Sequence, residues 1–151
     1  IHTQNVVVFR DNQMNLLEQP FNVSFVTCAA VNMGHYMTFE SSTKDEGEKE
    51  MRNRMLTVLR CMKAHGHDAL VLGAFGSGVF RNDPIFVASV WNNLLRSEEF
   101  NTCFQHVSFG IISGAPSRPS HKNDKKKKKN NDKKKKVVVD PLDCFRKEFD
   151  T

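Results

Sequence analysis

Asp68-Ala-Leu-Val-Leu-Gly-Ala-Phe-Gly-Ser-Gly-Val-Phe-Arg-Asn-Asp-Pro84 passes from a short apolar strand through a glycine-rich loop to a helix start. Leu70, Val71 and Leu72 suit a strand covered on both faces. Gly73, Gly76 and Gly78 allow a tight turn that aims backbone N–H groups at an anion. Asp83 is a good N-cap and Pro84 fits the first helical position. The loop is therefore expected to end at a helix N-terminus whose partial positive charge also favours phosphate.

The glycine spacing, Gly-x-x-Gly-x-Gly, excludes the commoner phosphate sites. It lacks the Lys-Ser/Thr of a P-loop and has the wrong order for a dinucleotide fingerprint. Ser77 lies between two glycines, but a nucleophile elbow needs Gly-x-Ser-x-Gly, and Phe75 stands where the first glycine would be. A strand-to-helix turn with no ligand shares this composition, so the loop needs its context.

Upstream, the β-branched and aromatic runs at residues 6–9 and 21–27 predict two strands joined by a loop over residues 12–20, with irregular backbone over 28–44. From residue 46 to 64, Met51, Met55, Val58, Leu59 and Met62 fall on one helical stripe that Gly66 terminates. Downstream of the loop come a helix over residues 84–95, a turn at 97–101 and a strand over 104–112. Strands alternating with helices predict an α/β domain with a mostly parallel or mixed sheet. In such sheets ligands sit beyond the C-terminal strand ends, here residues 28–37, 73–80 and 113–116.

Gly73 to Pro84, with the preceding Ala-Leu-Val-Leu and the following Val87-Ala88 and residues 100–112, resembles the microbial-type poly(ADP-ribose) glycohydrolase family. Asn5-Val-Val-Val-Phe-Arg-Asp11 and Val23-Ser-Phe-Val-Thr-Cys-Ala-Ala-Val-Asn32 are similar to two earlier strands of the same family. The resemblance covers residues 1–112 and a last helix near the C-terminus. It implies a three-layer macrodomain-like mixed sheet flanked by helices, incomplete at the N-terminal side. It also implies that Gly73, Ala74, Phe75, Gly76, Ser77, Gly78, Val79 and Phe80 hold the diphosphate and distal ribose of ADP-ribose or poly(ADP-ribose), with Phe80 against the terminal ribose. Ala30, Val31 and Asn32 would line another wall, and no further cofactor is implied. His35 and Tyr36, in the same loop, are additional candidates for ligand contact.

Two positions depart from the family pattern. Many members carry cysteine where this chain has Ser77, a mild change if the backbone makes the anion contacts. The family's catalytic signature, three glycines followed by Gln-Glu-Glu upstream of the first strand here, does not occur in the chain. The second glutamate of that pair is the general acid or base on the ribose–ribose bond. Glu46, Glu48 and Glu50 are accounted for as first-turn residues of a helix, and Glu98 and Glu99 are expected at a helix start. No catalytic residue is assigned, and whether the chain is an enzyme stays open. The start at Ile1 fits a portion of a longer domain.

The 151 residues suit one domain with an appendage. The formal charge of +5 is misleading, because residues 121–136 carry ten lysines and two aspartates, or +8, leaving −3 for the rest. The expected division is an ADP-ribose-binding portion over residues 1–120, a disordered lysine-rich insertion over 121–139, and a helix over 140–151 that docks back through Leu142, Phe145 and Phe149. Charge equips the segment from Lys122 to Lys136 to attract nucleic acid, poly(ADP-ribose) or a nuclear-import receptor, although no aromatic residue interleaves for base stacking. A solvated surface expansion explains it equally well. Cys28, Cys61, Cys103 and Cys144 form no CxxC pair and are expected as reduced thiols, the first three packed as small hydrophobes, in a cytoplasmic or nuclear protein without a membrane span. His65-Gly66-His67-Asp68 has metal-ligand composition but falls at a helix C-terminus, where capping is the expected role, so no metal site is assigned.

Three functions remain: the binding portion of an ADP-ribosyl glycosidase, an inert ADP-ribose-binding module, and a basic interaction protein acting through its lysines.

Overall fold

A computed structural model of the protein describes residues 1–39, 42–112 and 140–149. The wall expected at residues 113–116 and the lysine-rich segment 121–139 lie outside the described residues. The elements run β1 (His2–Arg10), β2 (Leu16–Val26), α1 (Met33–Tyr36), α2 (Lys44–Ala64), β3 (Ala69–Leu72), α3 (Pro84–Leu95), β4 (His106–Phe109) and α4 (Pro141–Phe149).

The core forms where the sequence patterns place apolar stripes. Met51, Met55 and Leu59 on α2 are fully buried and meet Val87, Ala88, Val90 and Trp91 of α3, with Leu70 of β3 and Phe100. Thr43 caps α2, its hydroxyl accepting from the Glu46 amide while the Glu46 carboxylate accepts from the Thr43 amide, a reciprocal capping box. Glu46 thus serves the helix start, as expected. α4 docks back on α3 and buries Cys144 and Phe145; its Phe145 and Phe149 rings lie 5.0 and 4.5 Å from that of Phe109 on β4.

The strands differ from the expected single sheet. β1 and β2 form an antiparallel hairpin, while β3 and β4 pair in parallel as a separate ribbon. β2 also begins at Leu16, inside the expected loop. The turn is confined to residues 11–15, where the Asp11 carboxylate accepts from the Gln13 and Asn15 amides at 2.9 Å. Pro20 is tolerated because β2 has one strand partner and so one edge that needs no donor.

No described strand bridges the two ribbons, and a cavity of about 980 Å³ lies between them, lined by residues of both. Large apolar side chains stay exposed as a result: Phe21 and Phe25 on one face of the hairpin, Val7 on the other, and Val71 of β3 at 82% exposure. The coverage on both faces expected for Leu70, Val71 and Leu72 therefore fails on the Val71 side of β3.

Glu98 and Glu99 follow α3 instead of starting a helix. Both Glu99 oxygens accept from the Arg60 guanidinium, at 2.7 and 2.9 Å, and this hydrogen bonding holds its carboxyl below its ordinary value. The four cysteines are free; Cys144 is the buried one, its thiol pushed up by burial, whereas Cys28, Cys61 and Cys103 are half-buried.

Because α2 and α3 share one core, truncating its centre should weaken the whole domain. Leu59→Ala is expected to lower the unfolding free energy by about 2–5 kcal/mol in urea titrations followed by far-UV circular dichroism. A loss well below that range would mean that the α2–α3 contact is loosely packed.

Candidate functional site

The glycine loop leaves β3 and is closed on itself by short backbone hydrogen bonds. The Phe75 amide donates to Gly73 (2.8 Å), Ser77 to Ala74 (3.0 Å), Arg81 to Gly78 (3.1 Å) and Asn82 to Gly76 (3.2 Å). Trp91 Nε1 on α3 donates to the Gly73 carbonyl at 3.2 Å and fixes the start of the loop on the core. With those amides engaged, the N–H groups of Gly76, Gly78, Val79 and Phe80 have no acceptor among the described residues. Successive free amides on a turning backbone form an anion-binding concavity.

Asn82 holds this conformation. It is 4% exposed, and its Nδ2 donates to the Val31 carbonyl at 2.7 Å and to the Gly76 carbonyl at 3.0 Å. One buried amide thus joins the loop after β3 to the loop after β2. The second loop is also held from α2, where Arg54 Nη1 donates to the Ala29 carbonyl at 2.9 Å. At the junction there is room only for glycine. Gly76 has φ 73°, and a Cβ there would lie 2.6 Å from both the Ala30 Cβ and the Asn82 Nδ2.

Between the loops lies an open cleft of about 440 Å³. Phe75, Gly76, Gly78, Val79 and Phe80 form one side, and residues 28–30 the other. Phe80 is a rim residue at 36% exposure, not a core anchor, and its carbonyl accepts from the Gly34 amide at 3.3 Å. Three of the polar N–H donors' residues, Gly78, Val79 and Phe80, are exposed on this rim.

The other expected residues fall nearby in different roles. Gly73 and Ala74 accept the hydrogen bonds that shape the loop. The Ser77 Oγ is buried with no hydrogen-bond partner among the described residues. Ala30 lines the cleft, whereas Val31 is core and Asn32 caps α1, its side chain accepting from the His35 amide at 3.2 Å. Neither His35 nor Tyr36 lines the cleft. The helix contribution differs too. Asp83 caps α3 by accepting from the Ile85 amide at 3.0 Å, and Pro84 has no N–H, so a carboxylate occupies the helix N-terminus and the loop amides are left as the anion donors. Among the described residues, no carboxylate lines the cleft.

Mixed pairing, a strand–loop–helix anion cradle and a second loop facing it define a macrodomain-like α/β protein. Comparison with solved structures shows which proteins share this arrangement. Poly(ADP-ribose) glycohydrolase from Deinococcus radiodurans in complex with ADP-ribose matches at 30% identity and a TM-score of 0.75, over 99% of this chain and 51% of that one. The same protein in apo form matches over 99% and 52%, with a TM-score of 0.74. Poly(ADP-ribose) glycohydrolase from Thermomonospora curvata matches at 33% identity and 0.73, over 98% and 46%. The chain is similar in fold to these poly(ADP-ribose) glycohydrolases, fits a C-terminal portion of that fold, and spans about half the length of these structures. No protein-family profile matches it, and no curated protein sequence does.

The clamp can be tested by stability. Asn82→Ala removes the two side-chain hydrogen bonds that tie the loops together and is expected to cost about 1–3 kcal/mol. Gly76→Ala adds left-handed backbone strain of about 1–2 kcal/mol to the overlap with Ala30 and should be at least as harmful. Urea denaturation of both variants measures this; wild-type stability for Asn82→Ala would show that the amide is not the clamp.

Proposed function

We propose that the chain is the ADP-ribose-binding portion of a protein that hydrolyses the ribose–ribose bonds of poly(ADP-ribose). The observation that carries this is the set of unengaged amides at Gly76, Gly78, Val79 and Phe80 on the rim of a cleft built between two strand-end loops. The amides suit a diphosphate, whose charge-assisted hydrogen bonds are stronger than neutral ones. Phe80 and Val79 offer an apolar surface for the ribose that follows. Similarity to a solved glycohydrolase in complex with ADP-ribose supports the choice of ligand.

Binding and chemistry are separate here. Among the described residues no carboxylate lines the cleft, and the chain contains no Gln-Glu-Glu run. By itself it is a binding portion, and the acid must come from sequence beyond these residues. An inert ADP-ribose-binding module would have the same cleft and no such glutamates in the rest of the protein. A basic interaction protein, acting on nucleic acid or an import receptor through the ten lysines of residues 121–136, would not need the cleft at all. Among the described residues, no helix is long and apolar enough to cross a membrane.

Calorimetric titration of the chain with ADP-ribose is expected to show one site. Phe80→Ala should weaken it about tenfold, or about 1.4 kcal/mol. Ser77→Cys should bind normally, since the amides and not the side chain make the contacts, and deletion of residues 122–136 should leave the affinity unchanged. Incubated with poly(ADP-ribose), the chain alone should release no ADP-ribose. No heat and no thermal stabilisation at millimolar ADP-ribose would overturn the proposal.

A further inference from the structure

At the other end of β3 from the cleft, the ligating atoms of His2, Cys61 and His65 converge, and His67 lies beside His2. Cys61 and His65 stand four residues apart on the last turn of α2, hence on one face of the helix. His65 is the C-cap, as expected, and Gly66 at φ 72° turns the chain so that the His67 amide closes on the Met62 carbonyl at 3.1 Å. His67 is thereby folded back beside the helix end. The fourth side chain comes from far away in sequence: His2, at the start of β1, places its Nε2 3.1 Å from His67 Nε2 and its ring centroid 3.9 Å from that of His65.

His2, Cys61 and His65 each offer a ligand atom, all lying within 4.8 Å of one another. Zn–N bonds of about 2.0 Å and Zn–S bonds of about 2.3 Å put ligand atoms on one tetrahedral ion roughly 3.3–3.6 Å apart. The His2–His67 pair is already near that spacing; His2, Cys61 and His65 form the converged trio, and His67, beside His2, is the fourth donor. His65 is also oriented for the task. Its Nδ1–H donates to the Cys61 carbonyl at 2.8 Å, which leaves Nε2 with the free lone pair, the outer-shell arrangement that metal-binding histidines use.

We propose that His2, Cys61, His65 and His67 form a tetrahedral zinc(II) site of three imidazoles and one thiolate. Nitrogen and sulfur donors in this number select zinc over magnesium or calcium, which take oxygen ligands. The site is distinct from the ADP-ribose cleft, since the four residues of β3 separate them by about 13 Å at roughly 3.3 Å per residue. Its effect is to fasten β1, which otherwise contacts chiefly β2, to the end of α2.

The test uses the full chain, stripped with a chelator and titrated with zinc chloride against a chromophoric competitor, and in parallel with cobalt(II) chloride. One equivalent should bind, and the cobalt form should show the visible absorption of a tetrahedral ion with a thiolate-to-metal charge-transfer band. Cys61→Ser should abolish that band, and Cys61→Ser, His65→Gln and His2→Gln should each weaken zinc binding by about tenfold or more. Cys28→Ser should change neither. These side chains are half-buried or exposed, and unchanged far-UV circular dichroism of the metal-free variants checks that they fold. Absence of stoichiometric zinc, or unaltered affinity in both Cys61→Ser and His2→Gln, would overturn the proposal.

Discussion

One buried amide sets the geometry of the binding edge. Asn82 joins the carbonyls of Val31 and Gly76, and so brings together two loops that leave different strands of different ribbons. A buried amide left unpaired is costly, and so are two buried carbonyls. Separating the two loops would therefore take from the buried Asn82 amide at least one of the two acceptors it donates to. The glycine at position 76 is a direct corollary. The approach that lets its carbonyl reach Asn82 leaves no volume for a Cβ and demands a left-handed backbone. Arg81, at φ 60°, carries the remaining turn between the loop and the clamp.

Around that clamp the helix end and the loop differ in what they leave unpaired. Asp83 satisfies the helix end, so the positive end of α3 is neutralised and the loop amides are the unengaged donors. A ligand bound there would be recognised mainly by backbone. Tolerance of Ser or Cys between two glycines follows from this, because neither side chain needs to reach the anion. The Ser77 hydroxyl is a small liability in the same spot, since it is buried without a partner.

Much of this was legible locally. Ala69–Leu72 and Pro84–Leu95 have the expected bounds, because a short apolar run, an Asp-Pro cap and a glycine loop are each encoded by adjacent residues. The α2 stripe was legible for the same reason. What escaped was encoded between distant residues. Asn82 looks like an ordinary loop asparagine until Val31 is beside it. His65 and His67 look like capping residues until His2 arrives from another ribbon. The extension of β2 back to Leu16 was hidden by Asn15 and Pro20, two loop-favouring residues that a hairpin edge accommodates. The split into two ribbons was invisible as well, since strand content says nothing about which strands fail to meet.

The gap between the ribbons has a further meaning. The cleft is assembled from residues 28–30 and 75–80, held by Asn82, Arg54 and Trp91, and none of these lies in β1 or β2. The exposed apolar hairpin and the ligand edge are thus answerable to different pressures. A change at the exposed Phe21 or Val7 leaves untouched the residues that build the cleft and its clamp.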